Sequence, residues 1–134
     1  MKIALDTNIL IYASLNNSFV RNEINYICLY HTLVLSQYVI NEYLDVITRK
    51  KINKYKPINI LNYINYSVVE SNDYGSYNMF SIRDSNDYQV LYDAIIEDVD
   101  ILITNDKDFD DVKINKPKIM TSKQFFIEFM QEVV

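Results

Sequence analysis

Short apolar runs alternate with stretches of helical periodicity along most of the chain, and this alternation limits the possible folds more than any other sequence feature. It predicts strands over Lys2–Leu5, Thr32–Leu35, Ser67–Glu70, Ile101–Thr104 and Lys118–Met120. It predicts helices over Ser18–Leu29, Gln37–Lys50, Pro57–Tyr66 and Asp87–Glu97, with Ser71–Arg83 as a polar loop. A last helix begins at Thr121, where Gln124 stands at capping-box spacing. Strands separated by helices pair in parallel, and a parallel sheet is covered on both faces. The expected architecture is a three-layer α/β/α sandwich around a mainly parallel sheet of four to five strands. A length of 134 residues, 49% of them hydrophobic, is enough for one core, so a single domain over residues 1–134 is expected.

The residues that are scarce exclude several chemistries. Gly75 is the only glycine, and loops that cradle nucleotide phosphates need several glycines for positive φ and close backbone approach. Cys28 and His31 are the only residues of their types, so an internal disulfide and zinc sites built from several Cys or His ligands are ruled out. Any metal here must be a hard cation that prefers oxygen ligands. A net charge of −5 argues against binding nucleic acid through a broad basic face, but not against carboxylates gathered around cations. No apolar run could span a bilayer, and the opening residues Met1 to Asp6 turn acidic too early for a signal peptide. The expectation is a cytoplasmic protein with no membrane partner.

The acids fall at telling places on this scheme. Asp6 follows the first strand directly, Asp106 follows Ile101–Thr104 after one residue, and Glu42 lies in the second turn of the helix after the second strand. In a parallel sheet all three come to the C-terminal edge, where open α/β folds place their ligand crevice. Glu42 also interrupts an apolar stripe marked by Val39 and Val46, and an inward carboxylate must be paired or bound to a cation. Asp87 stands in the first turn of a helix whose inner face runs on through Val90, Leu91, Ala94 and Ile95. Each acid has a plainer reading: Glu42 paired to a base at the stripe's edge, Asp84 and Asp87 as helix caps, and Asp6 and Asp106 as turn residues. Together they are harder to explain that way. Carboxylates converging on one edge repel one another unless a cation neutralises them, and magnesium or manganese suits an all-oxygen site.

These residues carry a resemblance. The strand ending in Asp6-Thr7-Asn8, Glu42 within Ser36–Leu44, Arg83-Asp84-Ser85-Asn86-Asp87 leading into Val90–Ala94, and Ile103-Thr104-Asn105-Asp106-Lys107-Asp108-Phe109 follow the order and spacing of a PIN-domain nuclease. The chain resembles in particular the toxin component, VapC-like, of bacterial toxin–antitoxin systems. The resemblance implies a PIN-like fold and a divalent-metal-dependent ribonuclease using Mg2+ or Mn2+. Asp6, Glu42, Asp87 and Asp106 match the family's metal-coordinating acids, while Asn8 and Thr104 match positions that orient them. Asp84 stands as an alternative to Asp87, and Asp108 as an alternative to Asp106. An RNA substrate, a homodimer and a small antitoxin protein that blocks the acidic pocket are further implications.

For RNA contact the sequence offers a basic strip, Arg49, Lys50, Lys51 and Lys54, with Tyr55 beside it. The same residues suit a helix C-terminus. The loop Ser71–Arg83, with Tyr74, Tyr77, Phe80 and Arg83, is a second guide for a strand or an ordered lid. Two rival classes are a phosphatase using Asp6 as covalent nucleophile and a catalytically inactive PIN-like scaffold that binds RNA or a protein partner. The phosphatase chemistry wants a second Asp where this chain has Asn8. The scaffold reading sits badly with four retained acids.

Overall fold

The structure, a computed structural model, describes residues 1–49, 56–71 and 85–131. Its centre is a sheet in which every pairing is parallel, in the order β3-β2-β1-β4-β5, formed by Lys2–Leu5 (β1), Thr32–Ser36 (β2), Ser67–Val69 (β3), Ile101–Ile103 (β4) and Lys118–Met120 (β5). β1 lies in the middle, with Ala4 opposite Val34 on one side and Leu102 on the other. The helices are Thr7–Ser14 (α1), Ser18–Tyr30 (α2), Gln37–Thr48 (α3), Ser85–Ile96 (α4) and Ser122–Phe125 (α5), the last continuing as a π-helical turn over Phe126–Met130.

The strands bury both faces, as the period of two requires. Ile3, Leu5, Leu33 and Leu35 point into a large cluster with Ile9 and Leu10 of α1, Ile24 and Ile27 of α2, and Tyr43 of α3. Ala4 and Val34, one residue out of phase, meet Ala94 at the end of α4 and Val99 on the other face. This is the expected three-layer α/β/α arrangement, with five strands. Among the described residues no helix is long and apolar enough to cross a membrane.

Two elements differ from expectation. Thr7–Ser14 forms a helix that β-branched residues and a lone cap did not announce. Its face of Ile9, Leu10 and Ala13 is 0% exposed, so tertiary burial rather than propensity holds it. Conversely, the helix expected over Pro57–Tyr66 reduces to a single 3-10 turn at Ile60–Asn62. The backbone there is satisfied from outside. Ile58 N–H donates to the Ser14 carbonyl at 3.2 Å, and the Tyr43 hydroxyl accepts from Ile60 N–H at 2.9 Å and donates to the Ile58 carbonyl at 3.4 Å. With those groups already bonded, there is nothing for an α-helix to gain.

With Gly75 as its one glycine, the chain closes these helices with other residues. Asn16 adopts φ 70° after α1, Asn16 N–H reaches the Ala13 carbonyl and Asn17 N–H the Tyr12 carbonyl. Asp98, at φ 58°, repeats the pattern after α4 through bonds to Ile95 and Ala94. Both are Schellman closures that Asn and Asp enter at modest cost. Asn17 then caps α2 in turn, its side chain accepting from Val20 N–H.

Candidate functional site

The C-terminal edge of the sheet gathers acids from three different elements. Asp6 directly follows β1 and is the N-cap of α1, its Oδ1 accepting from Thr7 N–H at 2.7 Å. Its own N–H bonds the Ile103 carbonyl at 3.0 Å, which ties the residue to the neighbouring strand β4. Thr104, just past β4, donates its hydroxyl to Asp6 Oδ2 at 2.8 Å and accepts from Asp106 N–H at 3.1 Å. One buried hydroxyl therefore sets the positions of two of the acids. Asp106 in turn caps the 3-10 turn Lys107–Phe109, its Oδ1 accepting from Asp108 N–H at 2.9 Å.

Asp87, in the first turn of α4, completes the group: carboxylate oxygens of Asp6, Asp87 and Asp106 all lie within 4.8 Å of one another. Asp6 and Asp87 are 5% and 7% exposed, and Asp106 is half-buried. Neither Asp6 nor Asp106 has a cationic partner among the described residues. Burial pushes the Asp6 carboxyl above its ordinary range. The bonds from Thr104 and Thr7 oppose this, while the neighbouring charges of Asp106 and Glu42 add to it.

Glu42 stands half-buried on α3, close enough to act on Asp6 through its charge but outside the trio. The stripe that it borders consists of Val39, Ile40, Tyr43 and Ile47. The Tyr38 hydroxyl lies between Glu42 Oε2, at 3.4 Å, and Asn86 Oδ1 on α4, and its single proton is shared between these two acceptors. Tyr38, one helical turn before Glu42, thus couples α3 to the turn that presents Asp87. Sequence reading passed it over, although its i, i+4 spacing to Glu42 was there to see.

Other candidates fall differently. Asp108 is half-buried and contributes its backbone N–H to Asp106, not a carboxylate to the trio. Asn8 is exposed in the first turn of α1, with no hydrogen bond to the acids among the described residues. Arg49 is the extended C-cap of α3, where the helix ends earlier than expected, and bonds Asp45 at 2.7 Å. Lys50, Lys51, Lys54, Tyr55 and Asp84 lie outside the described residues, as does nearly all of the loop expected over Ser71–Arg83.

The donor set is all carboxylate, partly dehydrated and without basic partners for Asp6 and Asp106, which fits a divalent cation that prefers oxygen. Residues 2–108 match the family model described as PIN domain. The chain belongs to the PIN-domain family. PIN domains are generally nucleases and typically use divalent metals. No match is found among curated proteins. Among solved structures, the fold is similar to that in the crystal structure of VapBC2 from Rickettsia felis bound to a DNA fragment from their promoter. The TM-score is 0.63 at 20% identity, over 90% of this chain and 97% of the other. At that identity the likeness speaks for the fold.

Proposed function

We propose that residues 1–134 form one divalent-metal-dependent endoribonuclease domain that hydrolyses RNA phosphodiester bonds. The observation that carries this reading is the convergence of Asp6, Asp87 and Asp106 within 4.8 Å at the C-terminal edge of the sheet of a PIN domain. In this reading those three residues hold Mg2+ or Mn2+, and Glu42 lies at the rim. Such a cation supplies charge neutralisation at the scissile phosphate and a water of lowered pKa. The chain's own residues do the rest. Thr104 and Thr7 N–H fix the Asp6 carboxylate so that its position does not change as charge develops. Glu42, half-buried and open to solvent, is placed to accept a proton from a water approaching from outside. Tyr38 holds Glu42 and Asn86 in register.

The same reading extends to biology. In this reading the protein is a toxin held in check by a small antitoxin protein, which the fold likeness to VapBC2 supports, and it acts in the cytoplasm. Leu29 and Tyr30 of α2, 76% and 60% exposed, offer apolar surface for a homodimer.

The test is cleavage of a mixed pool of structured RNAs by the purified protein with manganese, magnesium or EDTA, beside Asp6→Asn and Asp106→Asn. Metal-dependent cutting lost in both variants establishes the nuclease and its site together. A folded protein that cuts nothing with either metal is instead a PIN-like scaffold for RNA or a protein partner.

A further inference from the structure

A cleft of about 340 Å³ opens beside the acidic trio, between the turn after β4 and the edge strand β5. Thr104 and Asp106 are among its lining residues, so it adjoins the proposed cation site. Its lining includes the apolar side chains of Phe109, Pro117 and Met120, all largely buried beneath the surface, with Ile114 half-buried among them. Amides stand at its edge. Asn115 is exposed and makes no hydrogen bond among the described residues. Gln124 spends its Oε1 on Thr121 N–H at 2.8 Å, closing the capping box of α5, which leaves its NH2 group to donate elsewhere.

The charges around the cleft decide what it can hold. Asp106 and Asp110 line it, and the one cation among its described lining residues, Lys118, is bonded to both oxygens of Glu128 at 3.0 and 3.1 Å. A phosphate is repelled by such a lining. The accessible lining is more polar than apolar, which suits an uncharged group with hydrogen-bonding edges better than an alkyl group, and the volume lies in the range of small-ligand sites. Because Asp106 belongs to both places, the group in the cleft is covalently close to the phosphate at the trio.

We propose that this cleft is a nucleobase subsite, taking the base next to the scissile phosphate, with Gln124 and Asn115 reading its edge. The inference rests on the ribonuclease reading above. A base can enter only when unstacked, so the site selects unpaired segments and, through the two amides, prefers some bases at one position beside the cut.

The test compares cut-site profiles of the full chain on a single-stranded RNA pool randomised around the cut. The variants are Gln124→Glu, Asn115→Asp and Ile114→Trp, with manganese binding measured in each. Gln124→Glu keeps the acceptor that caps α5 and replaces only the donor, and Asn115→Asp likewise keeps its shape. The wild type is expected to show a base preference at one flanking position. The two acids change or flatten that preference by about tenfold, the effect of one or two hydrogen bonds. Ile114→Trp raises KM at every sequence while manganese binding stays as in the wild type. Added negative charge alone would slow all sequences alike and leave the profile unmoved. A wild type that cuts, with the same profile in all three variants, overturns the subsite and leaves the nuclease standing. A cleft that serves a side chain of a partner protein gives that same result. A wild type inert with either metal overturns the ribonuclease reading, and the subsite with it.

Discussion

Asp6 and Glu23 are both carboxyls removed almost wholly from water, at 5% and 0% exposure, and each is held by one hydroxyl at the same distance. Thr104 donates to Asp6 at 2.8 Å, and Ser122 to Glu23 at 2.8 Å. From there the two places diverge. Asp6 receives a second bond from Thr7 N–H and faces two further acids, Asp87 and Asp106. Glu23, on α2, has its other oxygen buried without a partner among the described residues, and its carboxyl is pushed up to about 7 by burial against the opposing bond from Ser122. One region gathers negative charge, which the proposed cation would neutralise; the other isolates a single carboxyl and relieves it with a proton. Burial of an acid is therefore not a functional sign by itself. Company of its own kind is what distinguishes the site.

The widest separation between the two regions comes from Asp6→Asn. Cleavage is expected to fall by about 1000-fold or more, matching the several kcal/mol a bound cation contributes. The fold survives, because asparagine keeps an acceptor for Thr104, and far-UV circular dichroism beside the cleavage assay reads both. An unfolded variant would make Asp6 chiefly a cap of α1 and collapse the distinction.

Glu23 answers to pH instead. Its value is higher in the folded protein than in the unfolded chain, so the folded state keeps the proton longer. The stabilisation is complete below about 4.5 and is lost as pH rises through about 7. Over that window the shift corresponds to roughly 3 kcal/mol. Urea unfolding from pH 4 to 8 should show this decline in the wild type and a flatter line in Glu23→Gln. Equal slopes in the two proteins would show Glu23 to be ionised throughout.

The matched hydroxyls sharpen the comparison further. Thr104→Val removes the donor to Asp6 and the acceptor for Asp106 N–H, and should lower metal affinity and cleavage by about 10- to 100-fold, as loss of a ligand's orienting partner does. Ser122→Ala costs about 1 kcal/mol near pH 8, where Glu23 is charged, and less near pH 5. It leaves cleavage unchanged. If Ser122→Ala reduced cleavage as much as Thr104→Val, the two regions would be one functional unit.

Much of this was legible in the sequence because it is local. The strands announced themselves as apolar runs, Thr121 and Gln124 form the expected capping box, and Asp6 and Asp106 could be placed at one sheet edge from their positions just after strands. The trio's third member could be placed from the inner face of α4, though only the structure brings the Asp87 carboxylate beside the other two. What escaped depends on partners far along the chain. α1 is held by burial in a core that local propensity does not report, and the segment expected as a helix over Pro57–Tyr66 is bonded instead by Ser14 and Tyr43. Glu23 lies on the buried face of α2 with Val20, Ile24 and Ile27. The argument from an interrupted stripe, applied to Glu42, holds with more force there. Its partner Ser122, 99 residues away, is invisible to any local pattern.

The central position of β1 fixes when the acidic trio can exist. Asp6 emerges from the ribosome well before the hydroxyl that orients it, which is 98 residues further on, and Asp106 follows that hydroxyl. A nascent chain exposed only through α4 carries Asp6, Glu42 and Asp87 with nothing to bring Asp106 among them, and the pairing of β4 with β1 closes one of the longest loops in the fold. The proposed cutting activity therefore stays silent until β4 has paired with β1, and until then the messenger being translated lies beside a protein not yet able to cut it.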